Sequence, residues 1–205
     1  MPSLIAGVEL MATIVAPETT AEIDLDLLPE DALYEVIDGQ VVEKAMGAAS
    51  LEVASILQIH LGSFVSQADL GRAIVELVIR IDRKTQYRPD VSFISNERWP
   101  VRRKAPRQGA WDVVPDLAVE VISETDRACK VLGKTHHYFR AGVRSVWLIY
   151  PDLEIVHVFD AFDRIRVFTK ADVLDGGEVI PGFRLPLATL FQGEASEGGI
   201  PGASD

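Results

Sequence analysis

Apolar residues recur every second position in several short runs of the chain and every third or fourth position in two longer ones, and the two periods predict strands and helices respectively. Leu33-Tyr-Glu-Val-Ile37 and Gln40-Val-Val-Glu-Lys44 flank Asp38-Gly39, a dipeptide suited to a two-residue turn, so they read as a hairpin with Glu35 and Ile37 on one face. Val53, Leu57, Leu61, Phe64 and Ala68 form one stripe of a helix that Ser50 can cap and that runs to about Leu70. Ala73 to Ile81 is apolar on both alternating faces, as in a strand covered on both sides, with Glu76 and Arg80 as interruptions. Asp82 to Gln86 reads as a polar turn, and Arg88 to Ile94 as a strand with a proline near its start. In Leu117 to Ile122, Leu117, Val119 and Val121 share one face and Ala118, Glu120 and Ile122 the other.

The second helix spans about Asp126 to Ala141, capped by Ser123 or Thr125 and stopped by Gly142. Val131, Thr135 and Tyr138 mark its inner stripe, with Leu132 and Phe139 beside them. Ser145 to Tyr150, Glu154 to Phe159 and Ile165 to Phe168, separated by turns at Pro151-Asp152 and Ala161-Phe-Asp163, form an antiparallel meander. Asp175-Gly-Gly177 is a further turn, Pro181 to Pro186 is extended, and Leu187 to Phe191 makes one helical turn. Pro29-Glu30-Asp31 reads as the first turn of a very short helix.

Against this pattern the charged residues that fall in apolar segments stand out. Glu120 has apolar neighbours on its own face, and a carboxylate there must be paired, protonated or bound to a cation. Asp90 lies within or at the start of its strand. Lys134, at the margin of the second helix's inner stripe, is long enough to reach back toward the strand end, and Lys130 one turn earlier is a substitute. An ion pair of Glu120 with Lys134 or Arg80 that only holds the fold together is the plainer alternative.

Composition narrows the setting. With 205 residues and 48% hydrophobic positions the chain suits one globular domain, placed at 27–191 after an N-terminal arm (1–26) and before a polar tail (192–205) expected to be disordered. A formal net charge of -11 gives no general pull toward phosphate backbones or anionic lipid, so nucleic-acid contact needs a local patch. The basic run within Asn96 to Trp111 is that patch: Arg102, Arg103, Lys104 and Arg107 are candidate phosphate contacts, with Trp99 or Trp111 available to stack on a base. An ordinary solvated loop is the alternative. A single cysteine, Cys129, excludes a disulfide framework and a cysteine metal site, and points to the cytoplasm. The apolar opening lacks the basic start of a signal peptide, and no apolar run approaches the roughly 20 residues of a membrane span, so no membrane partner is expected. The four histidines form no metal-ligand spacing.

A Mg²⁺-type site needs hard oxygen ligands, usually one or two carboxylates with water and phosphate completing the shell. Asp90 and Glu120 would suffice, with the backbone carbonyl of Val121 as a third ligand. A lysine beside such an ion could orient or deprotonate the attacking water and stabilise charge on a scissile phosphate.

Tyr34-Glu-Val-Ile-Asp-Gly39, Arg88-Pro-Asp-Val91, Pro115-Asp-Leu-Ala-Val-Glu-Val-Ile-Ser123, Lys134 with Tyr138, Ala141-Gly-Val143 with Val146-Trp-Leu148, and Leu174-Asp-Gly-Gly177 ahead of Pro181-Gly-Phe183 occur in an order that resembles the Uma-two family. This is a domain of unknown function within the PD-(D/E)xK nuclease superfamily. The resemblance covers about Tyr34 to Phe191 and implies an α/β fold, with a restriction-endonuclease-like mixed β-sheet core flanked by helices and a C-terminal antiparallel meander. It implies Asp90 and Glu120 as ligands of Mg²⁺ or Mn²⁺, Lys134 as the lysine moved onto the next helix, and Glu35 as an additional early acid. In the superfamily's usual pattern the lysine lies two residues after the second acid, and here that slot is Ile122. Relatives often carry a histidine after a Ser-Leu-Glu-like segment, where this chain has Val53.

The leading expectation is a divalent-metal-dependent endonuclease that hydrolyses DNA phosphodiester bonds by metal-activated water and acts as a homodimer, the commonest closed assembly. The alternatives are a nuclease-fold protein that binds nucleic acid or a protein partner without cutting, and a structural, dimer-forming domain.

Overall fold

The computed structural model describes residues 33–44, 47–106 and 110–192; the N-terminal arm, the short helix expected at Pro29 and all but the first residue of the polar tail lie outside them. The hairpin forms as its turn requires. β1 (Tyr34–Ile37) pairs antiparallel with β2 (Gln40–Glu43), and Asp38 (φ 51°) and Gly39 (φ 81°) both take the left-handed conformation.

The apolar run from Ala73 to Ile81 is not one strand, which corrects the sequence reading. β3 (Gly71–Val75) ends where Glu76 turns into the left-handed region (φ 51°), and β4 (Ile79–Arg80) belongs to a different sheet. A left-handed residue cannot continue a β-ladder, so the break sends the two halves to different layers. Gln86, expected in a turn, starts β5 (Gln86–Tyr87), which joins β4 to β1 in a four-stranded sheet ordered β2-β1-β5-β4.

The central sheet has six strands: β3, β6 (Val91–Ser95), β7 (Leu117–Val121), β8 (Ser145–Tyr150), β9 (Ile155–Ala161) and β10 (Arg164–Thr169). Their order is β10-β9-β8-β7-β6-β3; β7 and β8 are parallel and every other pair is antiparallel, including the expected β8-β9-β10 meander. A small hairpin of β11 (Val173–Asp175) and β12 (Arg184–Pro186) leads into α3 (Leu187–Leu190). This is a mixed α/β architecture with a six-stranded mixed sheet at its centre and a C-terminal antiparallel meander.

The period of two along the buried strands divides the core. Val91, Phe93, Leu117, Val119, Val121, Trp147 and Ile149 face α1 (Ala48–Gln67) and the β11–β12 hairpin. Ile94, Ala118, Val146 and Leu148 face α2 (Ala128–Ala141) and the four-stranded sheet, which adds Ile79 and Tyr87.

Both helices begin elsewhere than expected. α1 starts after Gly47, so Ser50 lies buried inside it, and the buried stripe is Ser50, Val53, Ala54, Leu57, Leu61 and Val65 with Phe64 half-buried beside it. Ala48 and Ala49 carry the helix back a turn because alanine is the best helix former. With 20 residues and Glu52 as its sole charged side chain, α1 has the length and composition of a membrane span, which corrects the expectation that no apolar run approaches one. One stripe of it packs into the core, while Leu51 and Ile59 on its other faces are exposed. α2 starts after Arg127 with no side-chain cap; Asp126 instead closes a separate turn, its Oδ2 accepting from both the N–H and the hydroxyl of Ser123. Gly142 (φ 99°) ends α2 in the left-handed conformation, as its composition predicts.

Candidate active site

Three acids line up at the ends of three neighbouring strands. Val75 pairs with Val91, and Val91 with Val119; one step beyond them stand Glu76, Asp90 and Glu120. The Glu76 N–H donates to the Asp90 carbonyl at 3.3 Å, carrying the first pairing one residue further. Alternation turns Asp90 and Glu120 away from the face that Val91 and Val119 present to α1 and toward the layer of α2 and the four-stranded sheet. Both carboxylates are buried, Asp90 4% and Glu120 7% exposed.

Two lysines come down on this row from that layer. Lys134 Nζ, on α2, is 2.6 Å from Glu35 Oε1 and 2.9 Å from Glu120 Oε1, while Lys130 is exposed on the same helix. Tyr138, one turn beyond Lys134, donates its hydroxyl to the same Glu120 oxygen. Lys44, just after β2, donates to Glu76 Oε1 (2.8 Å), Asp90 Oδ1 (2.7 Å) and the Arg88 carbonyl (2.6 Å). The other Asp90 oxygen accepts the Val121 N–H, and Glu35 accepts the Arg88 N–H at 2.9 Å. Tyr87 lies under the Lys134 ammonium, 5.2 Å from ring centroid to Nζ, with its hydroxyl 2.7 Å from His137 Nδ1.

Burial pushes Glu120 up to about 7, against the pull of Lys134 and with Asp90 and Glu35 adding to the rise. For Lys134 burial works the other way, but the carboxylates of Glu120 and Glu35 override it and hold the ammonium above its ordinary value. These two shifts pull against each other, since a charged Lys134 favours an ionised Glu120. The 2.9 Å contact and the Tyr138 hydroxyl select the ion pair at and above neutral pH. Lys134 is thus held as an ammonium, a positive charge fixed between Glu120 and Glu35. Burial likewise opposes the charge on Lys44, and Glu120, Asp90 and Glu76 together raise its pKa above the ordinary lysine range. Glu76 is raised by burial despite Lys44, and burial pushes Tyr87 up to about 12.

The donor set fits a hard divalent cation. Glu35, Glu76, Asp90 and Glu120, when ionised, outnumber the cations of Lys44, Lys134 and the buried Arg88 beside Glu76 by one charge. One oxygen of that set, Glu76 Oε2, is buried without a hydrogen-bond partner among the described residues. No three acid, histidine or cysteine side chains among the described residues would hold a metal by themselves. A cation here would take Asp90, Glu120 and the adjacent Val121 carbonyl, leaving positions for water and phosphate, which is how Mg²⁺ is ordinarily bound.

Glu35, Asp90, Glu120, Val121 and Lys134 are thus brought together, and Ile122 is a half-buried apolar residue packed under α2. The basic loop is a different matter. Arg102, Arg103 and Lys104 are exposed, and Arg107 lies outside the described residues. Trp99 is buried, with Arg103 stacked 3.8 Å from one ring centroid and Trp111 at 4.7 Å, so it cannot stack on a base. Arg98 is spent on Asp116 and on the carbonyls of Val114, Pro115 and Gly142. A cleft of about 680 Å³ lined by residues such as Phe139, Arg144, Phe162 and Arg166 contains none of the acid–lysine cluster.

Lys44 and Tyr87 are members of the cluster that the sequence reading missed, Tyr138 was named only as a core residue and beside Lys134 in the family motif, and Glu76 was visible only as an interruption. A carboxylate inside an apolar run demands a cation, and that demand is the signal that pointed at Glu76. Nothing local says which of 20 basic residues answers it.

The Uma2 family, described as "Putative restriction endonuclease", matches residues 21–188. Among solved structures, the crystal structure of a "putative nuclease" from Anabaena variabilis is 24% identical, covers 80% of this chain and 93% of its own, and superposes with a TM-score of 0.68; it shares the fold. A cryo-electron microscopy structure of a DrdV–DNA complex is 13% identical over 72% of this chain and 14% of its own, with a TM-score of 0.35. No curated protein matches the chain.

Proposed function

The chain belongs to the Uma2 family, and on that premise we propose that it is a divalent-metal-dependent endonuclease that hydrolyses phosphodiester bonds of DNA, with Asp90, Glu120 and the Val121 carbonyl as ligands of Mg²⁺ or Mn²⁺. The observation that carries this reading is the meeting of Asp90 and Glu120, buried on one face of adjacent strands, with Lys134 held on Glu120 at 2.9 Å. A bound divalent cation supplies Lewis-acid polarisation of the phosphoryl group and lowers the pKa of water.

The chain's own residues do the rest. Lys134, charged and fixed between Glu35 and Glu120, offers an ammonium to a non-bridging phosphate oxygen and orients the attacking water. Tyr138 fixes the Glu120 carboxylate by hydrogen bonding to one oxygen, and the Val121 N–H does the same for Asp90. Glu35 is a positioning residue, since it touches Lys134 and the Arg88 backbone.

The test is calorimetric titration with Mn²⁺ of the wild type, Asp90→Ala and Glu120→Ala, followed by incubation with supercoiled plasmid and Mg²⁺. The expected result is that each variant loses more affinity than the roughly 10- to 100-fold that removing a hydrogen bond to a metal ligand costs. Nicked or linear DNA should accumulate with the wild type alone. Equal metal binding by all three proteins, or intact plasmid with a metal-loaded wild type, would sink the proposal. If metal binds to none of them while Glu120→Gln lowers thermal stability, the cluster is an internal ion network and nothing more.

A further inference from the structure

The function proposed above leaves Lys44 and Glu76 without a task. Lys44 Nζ sits in a cage of oxygens: Glu76 Oε1 at 2.8 Å, Asp90 Oδ1 at 2.7 Å and the Arg88 carbonyl at 2.6 Å. An ammonium has three N–H groups, and each has its acceptor, so Lys44 keeps no proton with which to contact a substrate. Its side chain is 11% exposed, shut in by the hairpin that carries it over the strand ends. Two carboxylates and a backbone carbonyl converging on one point are the donors that a hard divalent cation takes. The cage also holds an oxygen that the lysine does not satisfy, because Glu76 Oε2 is buried with no hydrogen-bond partner among the described residues. Glu76 itself is held with φ at 51°, a conformation that a residue with a side chain adopts rarely and that turns it out of β3 beside Asp90.

We propose that the Lys44 ammonium takes the place of a second divalent cation at Glu76, Asp90 and the Arg88 carbonyl, so that the site takes one metal ion where its oxygens would otherwise hold two. Asp90 is the shared residue, with Oδ1 on the ammonium and Oδ2 on the Val121 side, next to Glu120. In two-metal phosphodiesterases a pair of ions about 3.5–4 Å apart clamps the attacking and leaving oxygens. Here one member of the pair is tethered to β2 and cannot dissociate. The inference rests on the Asp90–Glu120 metal site proposed above, and the experiment separates the failure of one from that of the other.

The full chain is titrated with Mn²⁺ alone, the number of bound ions read by calorimetry and by the electron paramagnetic resonance of free Mn²⁺. The wild type should bind one ion, Lys44→Met two, and Lys44→Met/Glu76→Gln one again. A role for Lys44 in stability alone would leave the count unchanged. One ion in both the wild type and Lys44→Met, or two in the wild type, overturns the inference and leaves the nuclease reading standing. No ion in the wild type, whatever Lys44→Met binds, overturns both the Asp90–Glu120 site and the inference that rests on it. Should Lys44→Met fail to fold in metal-free buffer, recovery of its circular dichroism on adding Mn²⁺ supports the substitution of ion for ammonium. Failure to recover at saturating Mn²⁺ overturns it.

Discussion

Glu120 stands where burial and two cations disagree about its charge. Its folded pKa, about 7, lies above the ordinary 4.5, so between those values the folded protein holds a proton that the unfolded chain releases. Stability contributed by this group is complete below about pH 4.5 and is lost as pH rises through about 7, amounting to at most roughly 3 kcal/mol. Glu120→Gln should therefore abolish a drop in urea-unfolding free energy between pH 5 and pH 8 that the wild type shows. An unchanged pH profile in the variant would mean that the Lys134 pair, not burial, sets the ionisation. The same reasoning that made Glu120 conspicuous in the sequence, a carboxylate among apolar neighbours, also led, together with the family resemblance, to Asp90 and to Lys134. Lys44 escaped it because a lysine at the end of a hairpin strand looks like ordinary surface.

Among the elements, β3 does the most for the site while showing the least sign of it. It is an edge strand, it delivers Glu76, and it begins at Gly71, where an added Cβ would stand 2.1 Å from the Ile94 carbonyl oxygen and 2.8 Å from the Ser95 Cα. Both neighbours are backbone, so no rotamer change relieves the clash. Gly71→Ala should lower stability by at least about 2 kcal/mol, by separating β3 from β6, and should weaken Mn²⁺ binding with it. Gly62→Ala, inside α1 with only ordinary van der Waals neighbours, should instead stabilise by roughly 0.5–1 kcal/mol. Thermal melts of the pair check both signs. The break after β3 was illegible because Ala73 to Ile81 keeps an apolar pattern across two strands of different sheets. The capping residues were misread for a related reason, since both helices begin at backbone-only caps, Gly47 and Arg127, where no side chain announces the start.

For the molecule as a whole, a net charge of -11 means that any grip on DNA is local. The exposed side chains of Arg102, Arg103 and Lys104 are the patch expected to provide it. Replacing all three by alanine should weaken DNA binding of the Asp90→Ala protein at low salt and reduce the slope of log affinity against log salt by about one per lost phosphate contact. Mobility shifts measured over a range of salt would show this, and an unchanged slope would return the loop to ordinary surface. Arg103 also stacks on Trp99, so its replacement alone should cost some stability.

The strands, the helices and the two faces of β7 were readable from the chain because each depends on patterns that repeat within two to four residues, whereas Asp90, Glu120 and Lys134 were singled out as charges set in apolar segments only together with the family resemblance. The meeting of those residues with Lys44 and Glu76 was not readable. Lys44 lies 46 positions from Asp90 and Lys134 lies 99 from Glu35, and no local pattern links them. Folding the hairpin and α2 over the same strand ends brings them within hydrogen-bonding distance, where burial strengthens each charge interaction and makes every unpaired oxygen costly.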